Sequence, residues 1–150
     1  MKPVYKRILL KLSGEVLAGE KGSGIDFDTV TDICKVIKEC TDMGVQIGIV
    51  VGGGNFWRGR SSGTMDRTRA DHMGMLATVM NSLALQEALI QLGNDAVVMT
   101  ALDIQRVAVP FNKDEAVRLM ESGRTVIFGC GTGSPFFSTD SGAALRAAEI

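Results

Sequence analysis

The sequence predicts an α/β fold of three layers, with helices on both faces of a mainly parallel sheet. Three observations predict it. Short apolar segments rich in β-branched residues alternate with segments of helical periodicity along the 150 residues. Those apolar segments lack an in-out alternation, as strands covered on both faces do. Glycine-bearing turns follow Ser13, Val51 and Gly129. In a parallel sheet these turns share the carboxyl edge, where open α/β sheets hold ligands.

Arg7 to Ser13 reads as the first strand, with Gly14 directly after it. Lys11 lies inside this strand, an expensive place for a bare ammonium. Either its stem snorkels to water at a sheet edge, or its amine points along the carboxyl end toward a phosphate; the adjacent Ser13-Gly14 favours the second. Ala18 to Gly24 reads as a mobile glycine-rich loop without a P-loop lysine. Asp26 or Asp28 caps a helix carrying Val30, Ile33, Ile37 and Cys40 at helical spacing, stopped by Gly44.

Ile47 to Val51 is the second strand, and Gly52-Gly53-Gly54-Asn55-Phe56-Trp57-Arg58-Gly59 after it is the centre of the chain. One glycine pair would make a tight turn. Three in a row, with Arg58 four residues on, favour an oxyanion site: backbone N–H groups form an anion-binding concavity, a following helix N-terminus adds positive charge, and arginine adds a fork of donors. From about Thr68 to Leu92 runs a long helix whose methionines suit core or subunit interface. Asp71 near its start either interacts with the helix dipole or accepts hydrogen bonds from ribose hydroxyls.

Asp95 to Thr100 is the third strand, and Val107 to Val109 an extended piece ended by Pro110. Asn112 with Glu115 caps a helix to Ser122. Arg124 to Gly129 is the fourth full strand. Cys130 to Gly142 then forms a second glycine- and hydroxyl-rich loop feeding a helix from about Asp140. Phe136 and Phe137 among small polar residues argue for a pocket with an apolar wall.

Composition narrows the function. Hydrophobic residues at 45% and charged residues at 22% suit a globular chain that fits one domain over residues 1–150. The net charge of −1 gives no global field for nucleic acid or membrane surface, although Arg58, Arg60, Arg67 and Arg69 cluster locally. The three cysteines (Cys34, Cys40, Cys130) and one histidine fit neither a disulfide framework nor a zinc site, and reduced thiols point to a cytoplasm. The N-terminus does not read as a signal peptide, and no apolar run approaches the roughly 18 residues of a spanning helix.

Lys11 to Gly14, Gly52 to Gly59, Asp71 to Asn81 and Gly131 to Asp140 together resemble the bacterial uridylate (UMP) kinases of the amino acid kinase family. The resemblance covers essentially the whole chain. It implies an amino acid kinase-like fold and transfer of a phosphoryl group from ATP, with Mg²⁺, to UMP. It places Lys11 and Arg58 at the transferring phosphoryl group, and Lys11, Ser13, Gly14, Gly54 and Arg58 at ATP. It places Gly53, Asp71, Thr132, Gly133, Ser134, Pro135, Phe136, Phe137, Ser138 and Thr139 at UMP. Ser138 replaces an expected threonine and keeps the hydroxyl.

The resemblance further implies a cytoplasmic homo-oligomer, a hexamer, in pyrimidine biosynthesis. It implies GTP or UTP as effectors, the Gly19–Gly24 region being linked to GTP control in some members. The family continues beyond a helix like the one ending at Ile150, so the chain is expected to hold the acceptor-binding portion without most of the ATP site. Two rivals stand beside this reading: a kinase of a small carboxylate such as acetylglutamate, and a non-catalytic UMP-binding or assembly module. A Rossmann dehydrogenase is poorly supported, since no Gly-x-Gly-x-x-Gly follows the first strand.

Overall fold

The structure, a computed structural model, describes residues 2–58 and 63–150. Met1 of the N-terminal stretch, Gly59 of the glycine turn and Arg60 of the arginine cluster lie outside the described residues. Five strands, β1 (Arg7–Leu12), β2 (Gln46–Val51), β3 (Ala96–Thr100), β4 (Val109–Pro110) and β5 (Thr125–Gly129), form one sheet in the order β1-β2-β5-β3-β4. Every pairing is parallel. Among the described residues four α-helices pack on the sheet, three between strands and one after the last: α1 (Phe27–Asp42), α2 (Arg67–Gln91), α3 (Lys113–Glu121) and α4 (Thr139–Glu149).

The predicted three layers follow from how the strand residues divide. Ile47, Ile49 and Val51 of β2, Val98 of β3 and Ile127 of β5 pack with Val30, Cys34 and Ile37 of α1 and Leu85 and Leu89 of α2. Their sequence neighbours Val50, Met99, Val126 and Phe128 face the other way, against Ala116, Leu119 and Met120 of α3 and Ala143 of α4. Successive side chains point to opposite faces, so a strand flanked on both sides is apolar throughout. The lack of alternation in the sequence has this cause.

The caps predicted from short polar residues form. Asp26, rather than Asp28, accepts from the Thr29 N–H and starts α1; Asn112 accepts from the Glu115 N–H and starts α3. Such bonds satisfy donors that the first helical turn leaves unpaired. Gly44 and Gly93 take positive φ just past α1 and α2, which a glycine adopts without steric cost.

Three expectations need correction. Ala18 to Gly24 is not simply a loop: 3-10 turns run from Gly14 to Lys21 with a break at Gly19. They form because Leu17 and Ala18 are fully buried and the Asp26 N–H donates to Leu17 O at 2.7 Å. The helix expected from about Thr68 after the triple glycine is α2, which starts at Arg67, capped by Asp66. Pro110 belongs to β4 instead of ending it, and β4 is an edge strand, where a missing N–H costs no ladder bond. Finally, α2 is long and apolar enough to cross a membrane by length and composition. It is a core helix here, with Ala70, Leu85 and Leu89 fully buried, and helices apolar all round are buried ones.

Burial also sets thiol chemistry. Removal from water pushes the Cys34 thiol up to about 11 and raises Cys130, whereas Cys40 is partly exposed. A native protein treated with a disulfide reagent at pH 8 should therefore lose Cys40 first, with Cys34 and Cys130 reacting only on unfolding. Prompt reaction of all three thiols in the native state would contradict this core.

Candidate active site

The turns after β1, β2 and β5 meet at one edge because the strands are parallel and in register, with Leu12 opposite Val51 and Val50 opposite Phe128. Neighbouring strands β2 and β5 send their chains to opposite faces, toward α2 and α4. This divergence opens a crevice outside their carboxyl ends, here a cavity of about 500 Å³.

Lys11, Ser13, Gly14, Gly53, Gly54, Arg58, Asp71, Thr132, Ser134, Phe136, Phe137, Ser138 and Thr139 line this cavity. Gly133 and Pro135, also named from the sequence, do not. Gly133 instead holds a positive φ, and a Cβ on it would meet that of Ala101 at 3.0 Å. The lining also contains residues that sequence reasoning gave no role: Glu15, Trp57, Arg67, Thr78 and Asp140. Their signal was only proximity to the glycine turns, since an acid beside a lysine or arginine is common on any surface.

Close backbone approach builds the site floor. A Cβ on Gly53 would lie 2.8 Å from Gly74 O and 2.9 Å from Ala77 Cβ of α2. One on Gly14 would collide with the Gly52 carbonyl and lie 2.7 Å from Asn55 Oδ1. Only glycine lets these turns pack so tightly.

A buried amide pair then straps the turn down. Asn55 and Asn81 exchange hydrogen bonds of 2.9 and 2.8 Å; Asn55 also donates to Gly24 O, and Asn81 to Gly52 O, both at 2.7 Å. Among the described residues two helix N-termini open onto the cavity: that of α2, the helix expected after the triple glycine, through Arg67, Ala70 and Asp71, and that of α4 through its cap Ser138 with Thr139 and Asp140. On the β5 side, Thr78 accepts from the Cys130 N–H at 2.8 Å and sets the start of the second loop.

Each described cation at the cavity pairs with a carboxylate. Lys11 Nζ is 2.9 Å from Asp140 Oδ1, Arg58 pairs with Glu15, and Arg67 Nε is 2.8 Å from Asp71 Oδ1. Lys11 stands on an edge strand and lines the cavity at the carboxyl edge of the sheet. The Lys11 and Arg58 pairs are partly exposed, and such pairs are worth about 0–1 kcal/mol, so an anion can compete for these two cations; Asp71 of the third pair is 13% exposed.

Asp71 carries a further bond, accepting from the Phe136 N–H at 2.7 Å. Burial alone would raise its carboxyl, but the Arg67 guanidinium and the Phe136 N–H outweigh burial and hold it below the usual carboxylate range. The carboxylate therefore keeps its partners until pH falls through that lowered value. Among the described residues no group of three or more His, Cys, Asp or Glu is placed to cage a metal.

Fold and cavity together define a three-layer α/β protein with an anion-suited crevice at the carboxyl edge of its sheet. The pattern of the amino acid kinase family matches residues 6–150, and the chain belongs to that family. It is similar to a UMP kinase from Bacillus anthracis, at 38% identity and a TM-score of 0.92, over 97% of this chain and 61% of that one. It is similar also to a UMP kinase from Ureaplasma parvum, at 39% identity and a TM-score of 0.90, over 96% of this chain and 64% of that one. A carbamate kinase from Giardia lamblia, at 13% identity and a TM-score of 0.63 over 96% of this chain and 67% of that one, shares the fold. The chain therefore spans somewhat under two thirds of the length of the two UMP kinases.

The amide pair yields a stability prediction. Asn81→Ala removes three bonds and leaves Asn55 Oδ1 and the Gly52 carbonyl without the partner that Asn81 supplies, which costs about 1–3 kcal/mol. Urea unfolding should show a midpoint lowered accordingly. An unchanged midpoint would mean that the pair does not hold the turn.

Proposed function

We propose that this chain forms the nucleoside monophosphate-binding portion of a UMP kinase, which transfers the γ-phosphoryl group of ATP to UMP. The observation that carries the reading is convergence: two glycine turns, Lys11 and Arg58 share one cavity with the hydroxyl-rich Thr132–Thr139 loop. Likeness at 38% and 39% identity to two UMP kinases supports it.

In this reading a phosphate oxygen of UMP attacks the γ-phosphorus, and the bond to the β,γ-bridging oxygen breaks to release ADP. The acceptor is already an anion, so no strong base is required. Catalysis rests on positioning and on positive charge around the transferring group. Lys11 and Arg58 supply that charge beside the N–H groups near Ser13, Gly14 and Gly54. Gly53 admits the UMP phosphate close to the backbone, Asp71 receives ribose hydroxyls, and the loop from Thr132 to Thr139 surrounds the base.

Mg²⁺ bound with ATP would add positive charge against the phosphates, beside Lys11 and Arg58. Cytoplasmic pyrimidine nucleotide synthesis belongs to the same proposal. So does assembly of copies into a hexamer, which the exposed Met73, Leu76 and Met80 on α2 support. Control by GTP or UTP has a physical route to the site, since Gly24 N donates to Asn55 O at 3.0 Å and Asn55 donates back.

The test is product formation by the kinase with its ATP-binding portion supplied, with Mg-ATP and UMP, CMP or acetylglutamate as acceptor. UDP from UMP alone is expected. UMP binding without UDP would favour a non-catalytic nucleotide module, and turnover of acetylglutamate a carboxylate kinase. Arg58→Ala should reduce turnover by about two orders of magnitude or more with the melting transition intact. Near-normal turnover in that variant would remove Arg58 from the site.

A further inference from the structure

The tip of the second loop is poorly secured by burial. Phe136 is 68% and Phe137 63% exposed. Phe136 also holds φ +71°, a left-handed conformation that costs a bulky residue roughly 1–3 kcal/mol and persists only when its surroundings impose it. Most of the loop's hydrogen bonds are local: Gly133 N to Cys130 O, Ser134 N to Thr132 Oγ1 and Ser141 N to Ser138 Oγ. Among the described residues, the hydrogen bond from the tip to another element is the Phe136 N–H to Asp71 Oδ2. The other oxygen of Asp71 accepts from Arg67 Nε, and the Arg67 guanidinium lies 5.3 Å from the centroid of the Phe136 ring.

We propose that Arg67 is a positioning residue that holds the Phe136 tip against α2, fixing Asp71 from one side and the aromatic ring from the other. Arg67 fits this role chemically. Its planar fork gives Nε–H to the carboxylate while its face meets the ring, a combination that a lysine ammonium cannot reproduce. The consequence for binding rests on the UMP reading above. A ribose hydroxyl entering at Asp71 meets a carboxylate whose rotamer Arg67 has already set, with a loop already in place, so less ordering is left for binding to impose. Arg67 accordingly governs acceptor affinity and leaves the transfer step to Lys11 and Arg58.

The first test needs no ligand. In Arg67→Met, hydrogen exchange at the Phe136 amide should accelerate by about tenfold or more while exchange in β2 and β5 stays unchanged. Unchanged exchange at Phe136, or equal acceleration throughout the core, overturns the latch.

The second test measures UMP affinity, read by calorimetry and by fluorescence of Trp57, the single tryptophan, which lines the cavity. Arg67→Met and Phe136→Ala should each weaken UMP by about tenfold, and the double variant by little more than either, because the pair acts as a unit. Arg67→Lys should recover only part of the loss. Independent, multiplying effects, or affinity unchanged in Arg67→Met, would overturn the positioning role. Faster Phe136 exchange in a protein that does not bind UMP would leave the latch standing and defeat the UMP reading instead.

Discussion

The buried contact between Asn55 and Asn81 is the interaction on which the rest of the site depends. Three consecutive glycines have no side chains to anchor them, and on their own they would sample many conformations. The two amides remove that freedom from outside. Asn81 draws the Gly52 carbonyl toward α2, and in a trans peptide the Gly53 N–H must then point the opposite way. Gly14 presses on Gly52 and Asn55, and Gly24 bonds to Asn55. The turn after β1, the turn after β2 and the start of α1 are therefore referenced to one pair of side chains on a core helix. Low dielectric strengthens such a satisfied network and penalises its disruption.

Around this floor the charges are arranged as three pairs. Lys11 with Asp140 and Arg58 with Glu15 keep two cations near the cavity without committing them, whereas Asp71, 13% exposed, holds Arg67 more firmly. Partial exposure makes the first two pairs weak, so an anion with several oxygens can compete for Lys11 and Arg58. The pairs differ in one respect. Lys11 and Arg58 flank the glycine turns, while Arg67 is tied through Asp71 to the loop tip. The first two suit the reacting phosphates, and the third suits the shape of the acceptor pocket.

Much of this was legible in the sequence, for identifiable reasons. Strands such as Ile47 to Val51 announce burial on both faces by being apolar throughout, and Asp26, Asn112, Gly44 and Gly93 mark helix ends through local chemistry. The edge on which the special turns gather follows from parallel strands alone. What was illegible depends on long-range partners. Leu17 looks like part of a loop until the core that receives it is known. A second helix end at the cavity belongs to α4, far along the chain, and joins that of α2 only through the fold. The pairings Asn55–Asn81 and Asp71–Phe136 span 26 and 65 residues, and neither periodicity nor spacing encodes them. Similarly, a motif does not tell Gly133, which takes a positive φ, from its neighbours that line the cavity.

The account rests on the cavity being an acceptor site for uridine monophosphate. Its most direct test is the thermal melt of this 150-residue chain with millimolar UMP, millimolar CMP or neither, since a ligand that binds the native state alone raises the midpoint. The account predicts a cooperative transition that UMP moves upward by several degrees and CMP leaves in place, as expected when a native-state ligand at about 100 times its Kd adds roughly 2.7 kcal/mol. A cooperative transition indifferent to UMP, or moved equally by both nucleotides, would contradict it.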